Sequence, residues 1–153
     1  MLIFDESNSH YLTDYILKDI PSSIYQIRSI KFYVSGTIIY LFIKSLFSFE
    51  LFKINKFNIR FFFKELLCHY HLSCIKYINP KVIITLADNS SYYHWLCRKY
   101  KNAKFFAIQN GNRTNEQLKN KSKHFHEHYF CFGNYDVGRY KKFGHHIQYA
   151  HPV

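Results

Sequence analysis

Between residues 79 and 113 the chain reads NPKVIITLADNSSYYHWLCRKYKNAKFFAIQNGNR. Residues 81–86 are a continuous run of branched and apolar side chains, and 105–108 are a second one. Asp88, Asn89 and Ser90 are residue types that cap helix N-termini, and 92–100 supply the apolar face of a short helix. A strand that is apolar throughout, not at alternate positions, is buried on both faces. Strand, helix and strand in this order therefore predict two parallel neighbours joined by a crossover, with Ile84 and Phe106 in one sheet.

Upstream, residues 2–4 are a short apolar run that breaks off at Asp5, Glu6, Ser7 and Asn8. Asn8 or Ser9 then caps a helix whose apolar face is Leu12, Tyr15 and Ile16, ended by Pro21. Short strands at 24–28 and 30–34 precede Gly36, which opens GTIIYLFIKSLFSFELF, the most hydrophobic run of the chain. Lys44 and Glu50 interrupt it well before the roughly 20 apolar residues that span a bilayer, so a buried or interfacial helix is expected. Over 60–78, Phe62, Leu66, Leu67, His71, Cys74, Ile75 and Ile78 recur near a helical period, and Asn79 and Pro80 stop the helix. Downstream, 129–132 read as a strand, Asn134 or Asp136 starts a helix reaching about 143, and 147–150 form a last strand. The sum is one domain over 1–153, an α/β fold with an open, doubly wound, mostly parallel, Rossmann-like sheet. In such sheets ligands collect at the loops beyond the carboxyl ends of the strands. The polar clusters at 5–8, 88–91 and 109–113 fall there.

Composition sets the outer bounds. With 48% hydrophobic residues, sixteen Phe and fourteen Tyr, the chain has ample material for a core, which excludes disorder. The net charge of +11 is uneven: eleven Lys or Arg face three acids from Arg98 onward, against ten and seven before it. Such a field attracts phosphates, nucleic acid or an anionic membrane surface without choosing among them. Cys68, Cys74, Cys97 and Cys131 form no CxxC pair or compact zinc spacing and read as buried thiols in a reducing compartment. Asp5 and Glu6 occupy the place where a signal peptide carries positive charge, so the expected location is cytoplasmic.

Three stretches carry a family resemblance. NPKVIITLADNSSYYHWL (79–96) runs from a strand into Thr and Asp-Asn; AKFFAIQNGNR (103–113) runs from a strand into Gln-Asn-Gly; HYFCFGNYDVGRYKKFG (128–144) contains a Phe-x-Phe-Gly strand. In this order they resemble the N-terminal half of bacterial surface-carbohydrate biosynthesis transferases, related to the two-domain GT-B glycosyltransferases and the CDP-glycerol glycerophosphotransferases. The resemblance implies that the loops of this first domain face an interdomain cleft and a carbohydrate or polyol acceptor. A second domain would hold the donor, a nucleotide-activated sugar or CDP-glycerol, with no tightly bound cofactor. It places Asp88, Asn89, Gln109, Asn110, Gly111 and Arg113 in the cleft. The chain stops at His151, Pro152 and Val153, about where that second GT-B domain begins, so the expectation is an incomplete transferase, inactive alone or completed by a partner chain.

Each residue also has a plainer reading. Asp88 is the candidate catalytic base for an acceptor hydroxyl, or a cap of the following helix. Asn89, Gln109 and Asn110 could read hydroxyls, or satisfy their own loops. Gly111 suits positive φ or a close approach, and Arg113 a phosphate clamp or solvated charge. His124, His126 and His128 would share one face of a regular strand, the only geometry in which they could approach one metal; no metal is expected. His69, His71 and His94 read as packing residues, while His145 and His146 show no partner in sequence. Two other functions fit the charge: a basic nucleic-acid-binding module, disfavoured because the aromatics sit at periodic core positions, and a noncatalytic partner docking at the inner face of the cell membrane through the helix at 36–52.

Overall fold

The computed structural model describes residues 1–4, 9–20, 26–28, 34–47, 59–120 and 125–152. The polar cluster at 5–8, most of the strand expected at 30–34 and the end of the apolar run beyond 47 lie outside the described residues. The chain divides into two compact units: Met1–Ile30 with Pro80–Val153, and Lys31–Asn79, which enters between them in chain order.

Among the described residues the first unit has six strands, β1 (Leu2–Phe4), β2 (Gln26–Arg28), β3 (Val82–Thr85), β4 (Lys104–Ile108), β5 (Phe125–Cys131) and β6 (His146–Pro152). Their order is β2-β1-β3-β4-β5-β6, and every neighbouring pair is parallel. Ile84 lies opposite Phe106 and Thr85 opposite Ala107, the adjacency read from the doubly apolar runs. The sheet is thus open, doubly wound and Rossmann-like, with the strand order reversing between β1 and β3.

Helices cover both faces. On one, α1 (Ser9–Tyr11) runs directly into a π-helical turn, Leu12–Ile16. The Leu17 N–H reaches back to the Leu12 carbonyl at 2.7 Å. This wider turn carries Leu17, not Tyr15, round to the side of Leu12. Leu12 and Leu17 are buried with Ile3, and Ile84, Leu86 and Ile108 pack around them, whereas Tyr15 is 73% exposed. The expected apolar face is corrected accordingly. On the other face lies α4 (Ser91–Lys99), whose Tyr93 ring meets Phe105 edge-on at 5.6 Å and Phe4 at 6.1 Å.

Two further helices follow β4 and β5: α5 (Asn115–Asn120) and α6 (Asn134–Lys142). The first is unforeseen, though its signal stands in the sequence. Thr114 and Gln117 form a reciprocal capping box, Thr114 N–H to Gln117 Oε1 at 3.0 Å and Gln117 N–H to Thr114 Oγ1 at 3.2 Å. Strand β5 starts four residues before its expected start because its first half is polar. Its ladder is interrupted at Glu127, whose Oε2 takes the Phe105 N–H at 2.9 Å.

The second unit pairs α2 (Gly36–Leu46) with α3 (Ile59–Ile78). Ser35 caps α2 by accepting the Ile38 N–H at 3.2 Å. Ser45 Oγ bonds His69 Nδ1, and Phe42 meets Tyr70 edge-on at 6.2 Å, which defines the seam between the two helices. Asn79 ends α3 in the left-handed conformation, φ 51°, with its N–H on the Ile75 carbonyl. His69, His71, Cys74 and Ile75 are buried as expected, whereas Leu67 is not. All four cysteines are buried free thiols; burial pushes Cys68 and Cys131 up to about 12 and Cys97 to about 11. No helix among the described residues is long and apolar enough to cross a membrane.

Candidate functional site

The carboxyl ends of β3, β4 and β5 lie side by side, and one buried acid joins them. At the end of β3, Thr85 donates its hydroxyl to the Phe4 carbonyl at 2.6 Å and accepts the Ala87 N–H at 2.9 Å, fixing the turn that follows. Ser90 then caps α4 by accepting the Tyr93 N–H. The capping role therefore falls to Ser90 alone, and Asp88 turns inward, fully buried. Its Oδ1 accepts Arg113 Nη2 at 2.7 Å, and its Oδ2 accepts the Tyr129 hydroxyl at 2.7 Å. Tyr140 lies 2.9 Å from Tyr129, and since that phenol has given its proton to Asp88, Tyr140 is the donor between them.

The energetics of this acid are set by competition. Burial raises the Asp88 pKa above the ordinary carboxylate value, opposed by the Tyr129 hydroxyl, the Arg113 guanidinium and the Asn110 N–H. Burial likewise drives the Tyr129 phenol far above its usual range, and Tyr140 up to about 12. In this arrangement both Asp88 oxygens accept hydrogen bonds and the side chain is buried.

A second buried amide locks the loop after β4. Gln109, 2% exposed, accepts the Phe132 N–H on Oε1 at 3.1 Å and donates Nε2 to the Gly111 carbonyl at 3.1 Å and to Asp136 Oδ2 at 3.2 Å. Asp136 in turn accepts Arg139 Nη1 at 3.0 Å, and Arg139 also donates to Asn115 Oδ1 and the Arg113 carbonyl. The chain swings from β5 into α6 at Gly133, whose φ of 141° suits glycine. Tyr129, Tyr140, Asp136 and Arg139 are the residues the sequence reading missed. The Asp-x-x-Arg spacing at 136 and 139 is the one local signal they carry.

The stretch 109–113 now has a different explanation from the one expected. Gly111 is not among the positive-φ glycines; instead, a Cβ there would stand 3.3 Å from Arg113 Nη1. The glycine leaves room for the Arg113 guanidinium, which passes close to its Cα. That guanidinium is pinned, since Nη2 also donates to Asn110 Oδ1 at 2.8 Å. Gly111→Val is expected to cost roughly 1–2 kcal/mol by overpacking, while Asn112→Ala, at an exposed position, leaves the melting temperature unchanged. Thermal melts of the two variants check this.

Of the six residues predicted for the cleft, Asp88 and Gln109 are buried, Gly111 and Arg113 are partly covered, and Asn89 and Asn110 are exposed. Of these six, Asn89 and Asn110 present the most open side chains. Between α5 and α6, Asn115, Asn134, Tyr135, Arg139, Lys142 and Phe143 line a groove of about 370 Å³. Arg139 lies over the Tyr135 ring at 5.5 Å.

The histidines divide differently from a shared strand face. His124 lies outside the described residues. His126 stacks on Tyr129 at 4.4 Å and meets His94 at 4.6 Å, on the α4 side, whereas His128 stacks on Phe106 at 4.6 Å on the other. Among the described residues no group of three His, Cys, Asp or Glu could hold a metal ion. His145 has a partner, its Nε2 lying 3.2 Å from the Leu118 carbonyl. His94 Nδ1 lies 3.0 Å from the Phe125 carbonyl, and burial lowers its pKa from 6.5 to about 4 despite that contact. The unfolded chain thus binds a proton that the folded chain refuses. This contribution to stability is complete above 6.5 and is lost as pH falls from 6.5 toward about 4. Urea midpoints are expected to drop between neutral pH and the acid end of that window, with a shallower slope in His94→Phe.

Comparison with known proteins finds no family model, no curated relative and no solved structure that matches the chain.

Proposed function

We propose that this chain is the acceptor-side domain of a glycosyltransferase or glycerophosphotransferase-like protein of surface polysaccharide biosynthesis. The observation that carries the reading is the pair of exposed amides, Asn89 and Asn110, at the carboxyl ends of adjacent parallel strands, the second held by the guanidinium that Asp88 anchors. An amide carries both donor and acceptor, the match for a hydroxyl, and at Asn110 the Oδ1 is already held by Arg113, which turns its NH₂ to the ligand side in this reading. The groove between α5 and α6 offers Asn115, Asn134 and Lys142 beside the Tyr135 and Phe143 rings, a lining on which a sugar ring could stack and its hydroxyls be read. Arg113 serves as an internal tie in this reading, not as a phosphate clamp, because Nη2 is committed to Asp88 and Asn110. The nucleotide-activated sugar or CDP-glycerol is held by a second domain or a partner chain.

Two results are expected. The purified 153-residue chain releases no nucleotide from CDP-glycerol or a nucleotide sugar; release that Asp88→Asn abolishes would contradict this. Calorimetric titration with a polyol-phosphate or oligosaccharide acceptor gives weak binding, which Asn89→Ala with Asn110→Ala reduces about tenfold, on the order of one net hydrogen bond. Equal binding by the parent and the double variant would remove these residues from the site. Of the aromatic residues in the basic half, Phe105, Tyr129 and Tyr140 are core and so cannot stack on bases, while Phe132 and Tyr135 are exposed.

A further inference from the structure

We propose that α2 docks the chain on an anionic lipid surface, lying in the plane of the interface. The seam with α3 occupies one side of α2, with Ile38 and Ser45 buried seven residues apart. Opposite that seam a helix in water ordinarily shows polar side chains. Here it shows Ile39, Tyr40, Ile43 and Phe47, which are 47%, 63%, 48% and 73% exposed. Their spacing of three, four and seven or eight residues keeps them on one stripe.

Charge selects the occupant. The one charged residue in α2 is Lys44, exposed and next to Ile43, and the helix has no acid. Among the described residues of this unit, 34–47 and 59–79, Lys44, Arg60, Lys64 and Lys76 are exposed cations, against the single acid Glu65, which is half-buried. A second copy seated on the stripe would bring the same basic segment against itself. An anionic bilayer complements both features at once, taking the apolar side chains below the headgroups and holding the cations at the surface. Eleven residues make a helix about 16 Å long, too short to span and sufficient to lie flat. The inference stands apart from the acceptor site and survives its failure.

The test is sedimentation of the full 153-residue chain with two kinds of vesicle, pure phosphatidylcholine and phosphatidylcholine with about three parts in ten phosphatidylglycerol. Binding is expected to the anionic vesicles, falling as NaCl is raised from about 0.05 to about 0.5 M. Ile43→Glu is expected to lower the partition by about tenfold or more, with Tyr40→Ser a milder loss, while far-UV dichroism stays that of the parent. If Ile43→Glu fails to fold, Tyr40→Ser carries the test. The proposal is overturned if the chain stays in solution with both vesicles or if folded variants bind like the parent. A dimer in light scattering that Ile43→Glu converts to monomer, with no vesicle binding, also overturns it and makes a second copy the occupant.

Discussion

Arg113→Ala is expected to lower the unfolding free energy by about 3–5 kcal/mol at neutral pH, because it leaves a buried carboxylate without its counter-charge. In a chain of this size that is a fall in melting temperature on the order of 10 °C. The remaining donors, the Tyr129 hydroxyl and the Asn110 N–H, cannot neutralise Asp88. The sign of the pH dependence follows from the direction of the shift. Burial already holds the Asp88 pKa above its unfolded value, and removing Arg113 takes away an opposing influence and raises it further. A raised acid contributes most to stability when protonated, and that contribution is lost as pH rises through the folded pKa. The variant should therefore be closest to the parent in acid and furthest from it at neutral pH. Asp88→Asn with Arg113→Ala should cost less than Arg113→Ala alone, since no buried charge remains. Denaturant titrations of the parent and both variants at two pH values are sufficient. Equal losses at both pH values would show that Asp88 is not the group left stranded.

Gln109→Leu is the second large effect, about 2–4 kcal/mol, although the substitution nearly conserves volume. The leucine fills the site but leaves the Phe132 N–H and the Gly111 carbonyl without their partner, and takes one donor from Asp136. Each stranded buried group costs about 1–3 kcal/mol, partly relieved where water can reach the loop. Hydrogen exchange at the Phe132 amide should accelerate more than the global stability loss requires, because its acceptor is gone even in the folded state. Unchanged exchange at Phe132 would mean that the N–H has found another acceptor and that the Gln109 lock is incidental.

The legible part of this fold is the part where composition and periodicity coincide. Residues 82–85 and 105–108 carry apolar or branched side chains on both faces, as a covered parallel sheet requires, and their pairing follows. The start of β5 was illegible because His126, Glu127 and His128 look like surface; one imidazole is in fact buried under α4, and the carboxylate stands in for a ladder acceptor. The π-helical turn at Leu12–Ile16 was illegible for a different reason: nothing in five side chains announces a turn one residue wider. Asp88 and Arg113 could each be named as candidates from the sequence. Their ion pair could not, because it joins residues 25 apart through a contact that exists only once β3 and β4 are aligned. Nor could local pattern separate a glycine at positive φ from one beside a passing side chain, and Gly111 lies against the Arg113 guanidinium.

The most direct test of the acceptor site is a chemical-shift titration of the isotopically labelled 153-residue chain with a glycerol-phosphate oligomer, following the asparagine side-chain amides and the arginine Nε–H groups. The account predicts that the largest changes fall on the side-chain amides of Asn89 and Asn110 and on Arg113, with smaller ones at Asn115, Asn134 and Lys142 around the groove between α5 and α6. Shifts confined to α2 or to the far ends of the strands, or none at any acceptor concentration, would contradict it.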